Sequence, residues 1–428
     1  MNEDFIHYLW KFRLLDKELI SEAGDQLTII HPGEHNHDSG PDFFNARIRL
    51  GSTLWAGNVE IHVNASDWYR HNHQIDPAYD NVILHAVYEN DVPITDVNGK
   101  LIPTLSLKDK FQESILHRYK DFLKNQRWIP CEHLISGIDC FHFHQWAPCL
   151  ALEFQAEKMK RFQASLENCT YDWDECFYQQ LARSFGFRIN SVPFELLAKS
   201  LPFRLLKKYT SRLFQLEALL FGQAGLLANH FVEDYPQLLK KEYEFLRQKH
   251  SLEPINSSVW KFMRLRPSNF PTIRIAEFAA LLHQQDNLFS LILEGNCAEM
   301  IQKYFTVRAS DYWSTHFLFD KVSPERARCL GAASIDLLIF NFVVPFLFFY
   351  GDLKKVTSQK EKGIFILEQL QGEMNADIRK WKELGMPTIN ALQTQALIQL
   401  KRAYCEPKKC LECRIGNILL NDNQISPH

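Results

Sequence analysis

"GPDFFNARIRLGSTLWAGNVEIHV", Gly40 to Val63, decides the fold of the first part of this chain. "FFNARIRL" alternates apolar and polar side chains, the pattern of a strand with one buried face, and "TLWAGNVEIHV" reads as the next strand. Asp42 stands at the entrance of the first, while Glu60 and His62 lie two residues apart in the second and so share a face. If the strands pair, two carboxylates and an imidazole converge. Oxygen-rich, partly hydrated sites of this kind suit Mg²⁺ or Mn²⁺, and the imidazole tilts the choice towards Mn²⁺.

Working outward, "EDFIHYLWKFRLL" spaces its apolar residues as a helix does, with Glu3 and Asp4 favourably placed in the first turn. "QLTIIH" reads as a strand. Beyond the quoted stretch, "ASDWYRHNH" is expected to be a short helix capped by Ser66, and "NVILHAVYE" a nearly continuous apolar strand. "PITDVNGKLIPTLSL" should turn at Asn98 and Gly99. The order is helix, three strands, helix, strand.

Pro41-Asp42 followed by Glu60-Ile61-His62 in this order of elements resembles the PD-(D/E)XK phosphodiesterase superfamily, the restriction-endonuclease-like fold. The resemblance implies that Asp42 and Glu60 bind a divalent cation and that Glu3 is a further acidic residue of the site. His62 stands where the superfamily places Lys, so it would orient or deprotonate the attacking water without a fixed charge. The motif covers about a quarter of the chain. The run "GPDFFNARI…GNVEIHV…DWYRHNH…YDNVILH" also resembles an uncharacterised bacterial family, a domain of unknown function, which supplies no activity.

Seven of the 17 histidines (His31, His35, His37, His62, His71, His73 and His85) fall between residues 31 and 85. His71 and His73, beside Asp67 and Asp76, are candidates for touching substrate phosphate or a second cation. His85, inside an apolar strand, reads as a core histidine. The plainer alternative has Asp42 capping a turn, Glu60 paired with an Arg, and the histidines as polar surface.

At 428 residues and 50.2 kDa the chain can bury a large core, and its 32 Phe are an unusual share of a composition otherwise ordinary for a globular protein. "MNEDFIHYLWKF" lacks a basic segment followed by an apolar one, so a cytoplasmic location and no membrane partner are expected. "IDLLIFNFVVPFLFFY", Ile335 to Tyr350, reads as a buried helix kinked near Pro345. Residues 1–110 carry 9 Lys and Arg against 17 Asp and Glu, a net −8; the remainder carries a net +5. An acidic segment beside a basic one fits a cation site coupled to a polyanion-binding surface.

From residue 111 the pattern is helical, with expected breaks at Pro130, Pro148 and Pro193. The fold class is therefore α+β: a mixed-sheet domain over 1–110, PD-(D/E)XK-like by resemblance, followed by a mainly α-helical domain over 111–428. "YCEPKKCLECRIG" holds Cys405, Cys410 and Cys413 at spacings that can wrap Zn²⁺ or an iron–sulfur cluster, with Cys131, His133 or Cys149 as the fourth ligand. The spacing faintly resembles the cluster loop of helix-hairpin-helix DNA glycosylases, minus one local Cys. Three ordinary buried thiols are the alternative.

Lys401, Arg402, Lys408, Lys409 and Arg414 crowd the same loop, and "LLKKYTSR" and "KFMRLRPSNFPTIR" add further basic residues. Arg264, Arg266 and Arg274 can hold a substrate phosphate or brace two domains through buried carboxylate pairs, with Trp260, Phe262 and Phe270 available for stacking. The expected function is a divalent-metal-dependent nuclease acting on DNA or RNA. A non-catalytic nucleic-acid-binding or assembly module is one alternative, and a metallohydrolase of a small phosphorylated substrate is the other.

Overall fold

The computed structural model describes residues 1–36, 38–285 and 287–421. Helix α1 (Glu3–Lys11) opens the chain and buries Phe5, Ile6, Tyr8, Leu9 and Trp10. It ends sooner than the periodicity implied, because Arg13 takes a positive φ of 53° and turns the chain away. Seven strands follow in one sheet: β1 (Leu19–Ile20), β2 (Gln26–His31), β3 (Glu34–His35), β4 (Phe43–Leu50), β5 (Thr53–Asn64), β6 (Val82–Glu89) and β7 (Thr104–Ser106). The order is β1-β2-β4-β5-β6-β7, with β3 also pairing β4.

The sheet is mixed, as expected. β4 and β5 are antiparallel, whereas β6 lies parallel to β5 and β7 parallel to β6. A parallel neighbour requires a crossover, and the segment joining β5 to β6 supplies it with α2 (Asp67–Arg70) and two 3₁₀ turns, His73–Ile75 and Pro77–Tyr79. Ser66 makes no side-chain cap; Asp67 instead accepts from the Asn64 amide at 3.1 Å. The Asn98-Gly99 turn forms, with Gly99 at φ 75°, and Asp96 Oδ1 accepts the amides of Asn98 and Lys100. One face of the sheet packs Val59, Ile61, Leu84, Ala86 and Leu105 with Ile6 and Trp10 of α1.

The chain forms two compact units, Met1–Phe143 with the segment from Leu400 onward, and His144–Gln399. The expected division at residue 110 is therefore displaced. Helix α3 (Glu113–Lys124) belongs with the sheet, and the C-terminal helix Arg414–Asn421 returns to it. That helix buries Ile415, Leu419 and Leu420, and its polar residues bond to the first unit: Tyr8 Oη donates to Asn417 Oδ1 at 3.2 Å, and Arg118 Nη1 to the Leu419 carbonyl at 3.2 Å.

The second unit is helical, and its core accounts for the abundance of Phe. Phe177 lies 4.9 Å from Phe342 and 5.1 Å from Phe346, and Phe289 lies 5.3 Å from Phe346, ring centre to ring centre. Edge-on pairs of this kind add to what burial alone gives. Ala332–Leu353 is long and apolar enough to cross a membrane, yet 67% of its most apolar window is buried among the helices. It contains a π-helical turn, Ile339–Val343, directly before Pro345, which satisfies the expectation of a distorted core helix. Pro148 does not break its helix, Cys140–Asn168; buried Ala147, Leu150 and Ala151 hold that turn by packing.

Glu217 of this unit is a buried carboxyl held by the hydroxyls of Tyr235 and Ser310, the latter at 2.8 Å. Burial pushes it up to about 7. The folded protein keeps this proton between roughly pH 4.5 and 7 where the unfolded chain has lost it, so stability falls as pH rises through that window, by about 3 kcal/mol. Glu217→Gln mimics the protonated acid. Urea titrations at pH 5 and pH 8 should find the variant close to wild type at the lower pH and more stable at the higher.

Candidate metal centre

β5 is a central strand, and its register sets Glu60 beside His85 of β6 and Phe43 of β4 opposite Val59. Asp42 and Glu60 then lock each other through the backbone. The Asp42 amide donates to Glu60 Oε2 at 3.1 Å, and the Ile61 amide donates to Asp42 Oδ2 at 2.8 Å. The two carboxylates expected to share a spot do so. Glu60 is 4% exposed and has no Arg partner among the described residues. Its carboxyl is pushed up to about 9, chiefly by burial and then by the charge of Asp42.

Two groups of ligand atoms meet at this pair. The first joins Glu3 and His7 of α1 to Asp42, with ligand atoms all within 4.8 Å of one another. His7 was not singled out by the sequence, although its position one helical turn after Glu3 places both on one face. The second joins His62, His71 and His73, again within 4.8 Å. His62 Nε2 lies 3.2 Å from His71 Nδ1 and 3.5 Å from Glu60 Oε1, and His73 Nε2 lies 3.3 Å from Glu60 Oε1. The crossover between β5 and β6 delivers His71 and His73, and Tyr79 stacks on His73 at 3.8 Å.

The donor set fits a cation. His7 Nε2 lies 3.2 Å from Asp42 Oδ2, and His73 Nε2 lies 3.3 Å from Glu60 Oε1. Burial lowers the His7 pKa, but the bond to Asp42 and its charge outweigh this and raise it. These pairs share protons that a bound ion would displace. His62 is 1% exposed, and burial lowers its pKa to about 3. It is neutral throughout the working range and a weak proton acceptor, so the expected role as general base suits this environment poorly and ligation suits it well. His85 is fully buried, as expected of a core histidine, and its Nε2 meets His62 Nδ1 at 2.8 Å. His31 accepts the Gly33 amide in a turn, and His35 stacks on Phe43. His37 lies outside the described residues.

A cavity of about 800 Å³ opens beside His7, with Lys11, His35, Tyr119, Tyr404, Lys408 and Lys409 in its walls. Lys408 Nζ donates to the Leu123 carbonyl, and Lys409 pairs with Glu412 at 3.2 Å. The cysteine loop thus borders the same cavity. Cys405, Cys410 and Cys413 are buried, and so is Cys131 of the same unit. Burial raises all four thiols, Cys410 to about 12 and Cys413 to about 11, and Cys131 is raised further by the proximity of Cys413 and Cys410. Of the three candidates for a fourth ligand, His133 and Cys149 are exposed.

The Arg-rich segment belongs to the other unit. Arg274 is buried and braced, 2.7 Å from Glu277 Oε2, 2.6 Å from Asn269 Oδ1 and 3.0 Å from Ser334 Oγ, which corrects its expected role in holding substrate. Trp260 is likewise buried, donating to the Ala224 carbonyl at 2.9 Å, and Phe262 packs on Phe270. Arg264 and Arg266 remain exposed.

No curated protein and no solved structure matches this chain. The family described as "Protein of unknown function (DUF2851)" matches residues 3–376, and the chain belongs to that family.

Proposed function

We propose that the chain is a divalent-metal-dependent phosphodiester hydrolase acting on DNA or RNA, built on a sheet of PD-(D/E)XK type. The observation that carries this reading is the convergence of Glu3, His7 and Asp42 within 4.8 Å beside the buried Glu60. Mg²⁺ or Mn²⁺ held there would polarise a scissile phosphate and acidify a water. The chain's own part is positional. The Ile61 amide fixes Asp42, and α1 brings Glu3 and His7 to it. The cavity wall sets Lys11, Lys408 and Lys409 beside Asp4, Asp38 and Glu412, a mixed lining in which the lysines can meet a phosphate while the carboxylates face a cation. Its volume accommodates a single strand or a chain end more readily than a duplex.

We further propose that Cys131, Cys405, Cys410 and Cys413, which do not stand within 4.8 Å of one another as a group among the described residues, close around Zn²⁺ or an iron–sulfur cluster that fixes the loop bordering this cavity.

The test of the hydrolase is direct. Purified protein is incubated with single- and double-stranded DNA, with RNA and with bis(4-nitrophenyl) phosphate, under Mg²⁺ or Mn²⁺. Hydrolysis is expected for single strands and lost in Asp42→Asn, with Lys408→Ala and Lys409→Ala raising KM. Turnover of the small diester alone would indicate a small phosphorylated substrate. Binding of nucleic acid without turnover under any of these conditions would leave a non-catalytic binding module.

A further inference from the structure

His62, His71 and His73 bring three imidazole nitrogens within 4.8 Å of one another. A tetrahedral first-row transition metal with bonds of about 2.0–2.1 Å to nitrogen and oxygen has ligand atoms about 3.3–3.4 Å apart. Three measured edges of the group Glu60 Oε1, His62 Nε2, His71 Nδ1 and His73 Nε2 are 3.2, 3.3 and 3.5 Å. Glu60 Oε1 stands beside two of the three imidazole nitrogens, so side chains from a strand and from the following crossover converge at spacings close to those of a tetrahedral ligand set.

We infer that His62, His71 and His73 form a second metal site that takes a tetrahedral transition-metal ion such as Zn²⁺, with Glu60 beside it as the fourth ligand that closes on the ion. The ligand chemistry sets it apart from the first group. Glu3, His7 and Asp42 offer two carboxylates and one imidazole, a set suited to Mg²⁺ or Mn²⁺, whereas three imidazoles and one carboxylate suit Zn²⁺, Co²⁺ or Fe²⁺. Glu60 ties the two together. Its Oε1 faces the histidines, and its Oε2 accepts the Asp42 amide.

The surroundings are those of a built site. A cation on His62 Nε2 places the ring proton on Nδ1, where His85 Nε2 accepts it at 2.8 Å. Stacking on Tyr79 and an edge contact from Trp68 at 5.4 Å hold the His73 ring. His73 is only 10% exposed at its side chain, whereas His71 is exposed, which gives an ion a way in from solvent.

This inference shares Glu60 with the hydrolase reading, and it is tested without activity. The full chain is stripped of metal and titrated with Co²⁺, whose tetrahedral complexes absorb visible light far more strongly than six-coordinate ones. Wild type is expected to develop intense visible bands for the nitrogen and oxygen set, and Zn²⁺ should bleach them. His71→Ala and His73→Ala should each lose one equivalent of Zn²⁺ and these bands, yet still bind Mn²⁺ at the first group. Asp42→Asn should do the reverse. Co²⁺ at the cysteine loop is recognised by its near-ultraviolet thiolate charge-transfer band, and Cys410→Ser removes that contribution. If His71→Ala and His73→Ala leave Zn²⁺ content and the cobalt spectrum of the Cys410→Ser background unchanged, the second site does not exist, whatever the nuclease assay returns.

Discussion

Glu60→Gln should leave the fold standing and remove most of the stabilisation that Zn²⁺ gives at the histidine group. The reasoning rests on the state of Glu60 before any ion arrives. Burial, and then the neighbouring Asp42, push its carboxyl well above the usual carboxylate range, which favours the protonated acid. Gln has the shape and neutrality of that acid, and its carbonyl oxygen still accepts the Asp42 amide. The stripped variant should therefore unfold within about 1 kcal/mol of stripped wild type. The difference appears when metal is added. An ion held by the histidine group at 100 times its dissociation constant stabilises wild type by about 2.7 kcal/mol, and the variant, without the Glu60 carboxylate, should gain much less there. Any hydrolytic activity should fall by more than the roughly 10- to 100-fold that loss of an outer partner of a ligand costs. Thermal melts of both proteins in the Cys410→Ser background, with and without Zn²⁺, check this. An equal rise in both would remove Glu60 from the metal centre.

How much of this site could be read in advance follows from how locally it is encoded. Glu60 and His62 share a face of β5 by period-two alternation, and Asp42 immediately precedes the neighbouring β4; the Asp42 amide to Glu60 and the Ile61 amide to Asp42 join the two. His7 is equally local, one turn beyond Glu3, but a single histidine on an amphipathic helix carries no signal until a neighbour is known. His71 and His73 were visible as residues of a histidine-rich segment, while their meeting with Glu60 depends on a crossover whose path no periodicity specifies. Arg274 misled because a Pro- and Arg-rich stretch reads as surface. Only the packing of Asn269, Glu277 and Ser334 around it reveals a brace. The return of the C-terminal helix to the first unit is a contact across some three hundred residues, between Arg118 and Leu419. Composition at residue 110 could not announce it.

That return is also what makes the cysteine prediction sharp. Cys131 and the Cys405–Cys413 loop are far apart in sequence, and they are buried together in one unit with thiols that raise one another's pKa. Four thiols of this kind stay protonated by themselves, because ionising them would place mutually repelling charges out of water. A cation reverses the balance: it stabilises the thiolates and ties two distant segments through one centre. Cys131→Ser, Cys405→Ser, Cys410→Ser and Cys413→Ser should then behave alike, each releasing the same metal and lowering thermal stability by several kcal/mol. Cys149→Ser, at an exposed position in the other unit, should change nothing. Elemental analysis of protein purified anaerobically without chelators separates the two candidates, since an iron–sulfur cluster is coloured and zinc is not. If the four thiols are merely small apolar groups, no metal is found, and each Ser variant pays only the cost of a buried hydroxyl, about 1–3 kcal/mol, differing from site to site with the bonds each can find. Equal losses at four positions, including one nearly three hundred residues from the rest, are what a single shared centre requires and what independent cavities would not produce.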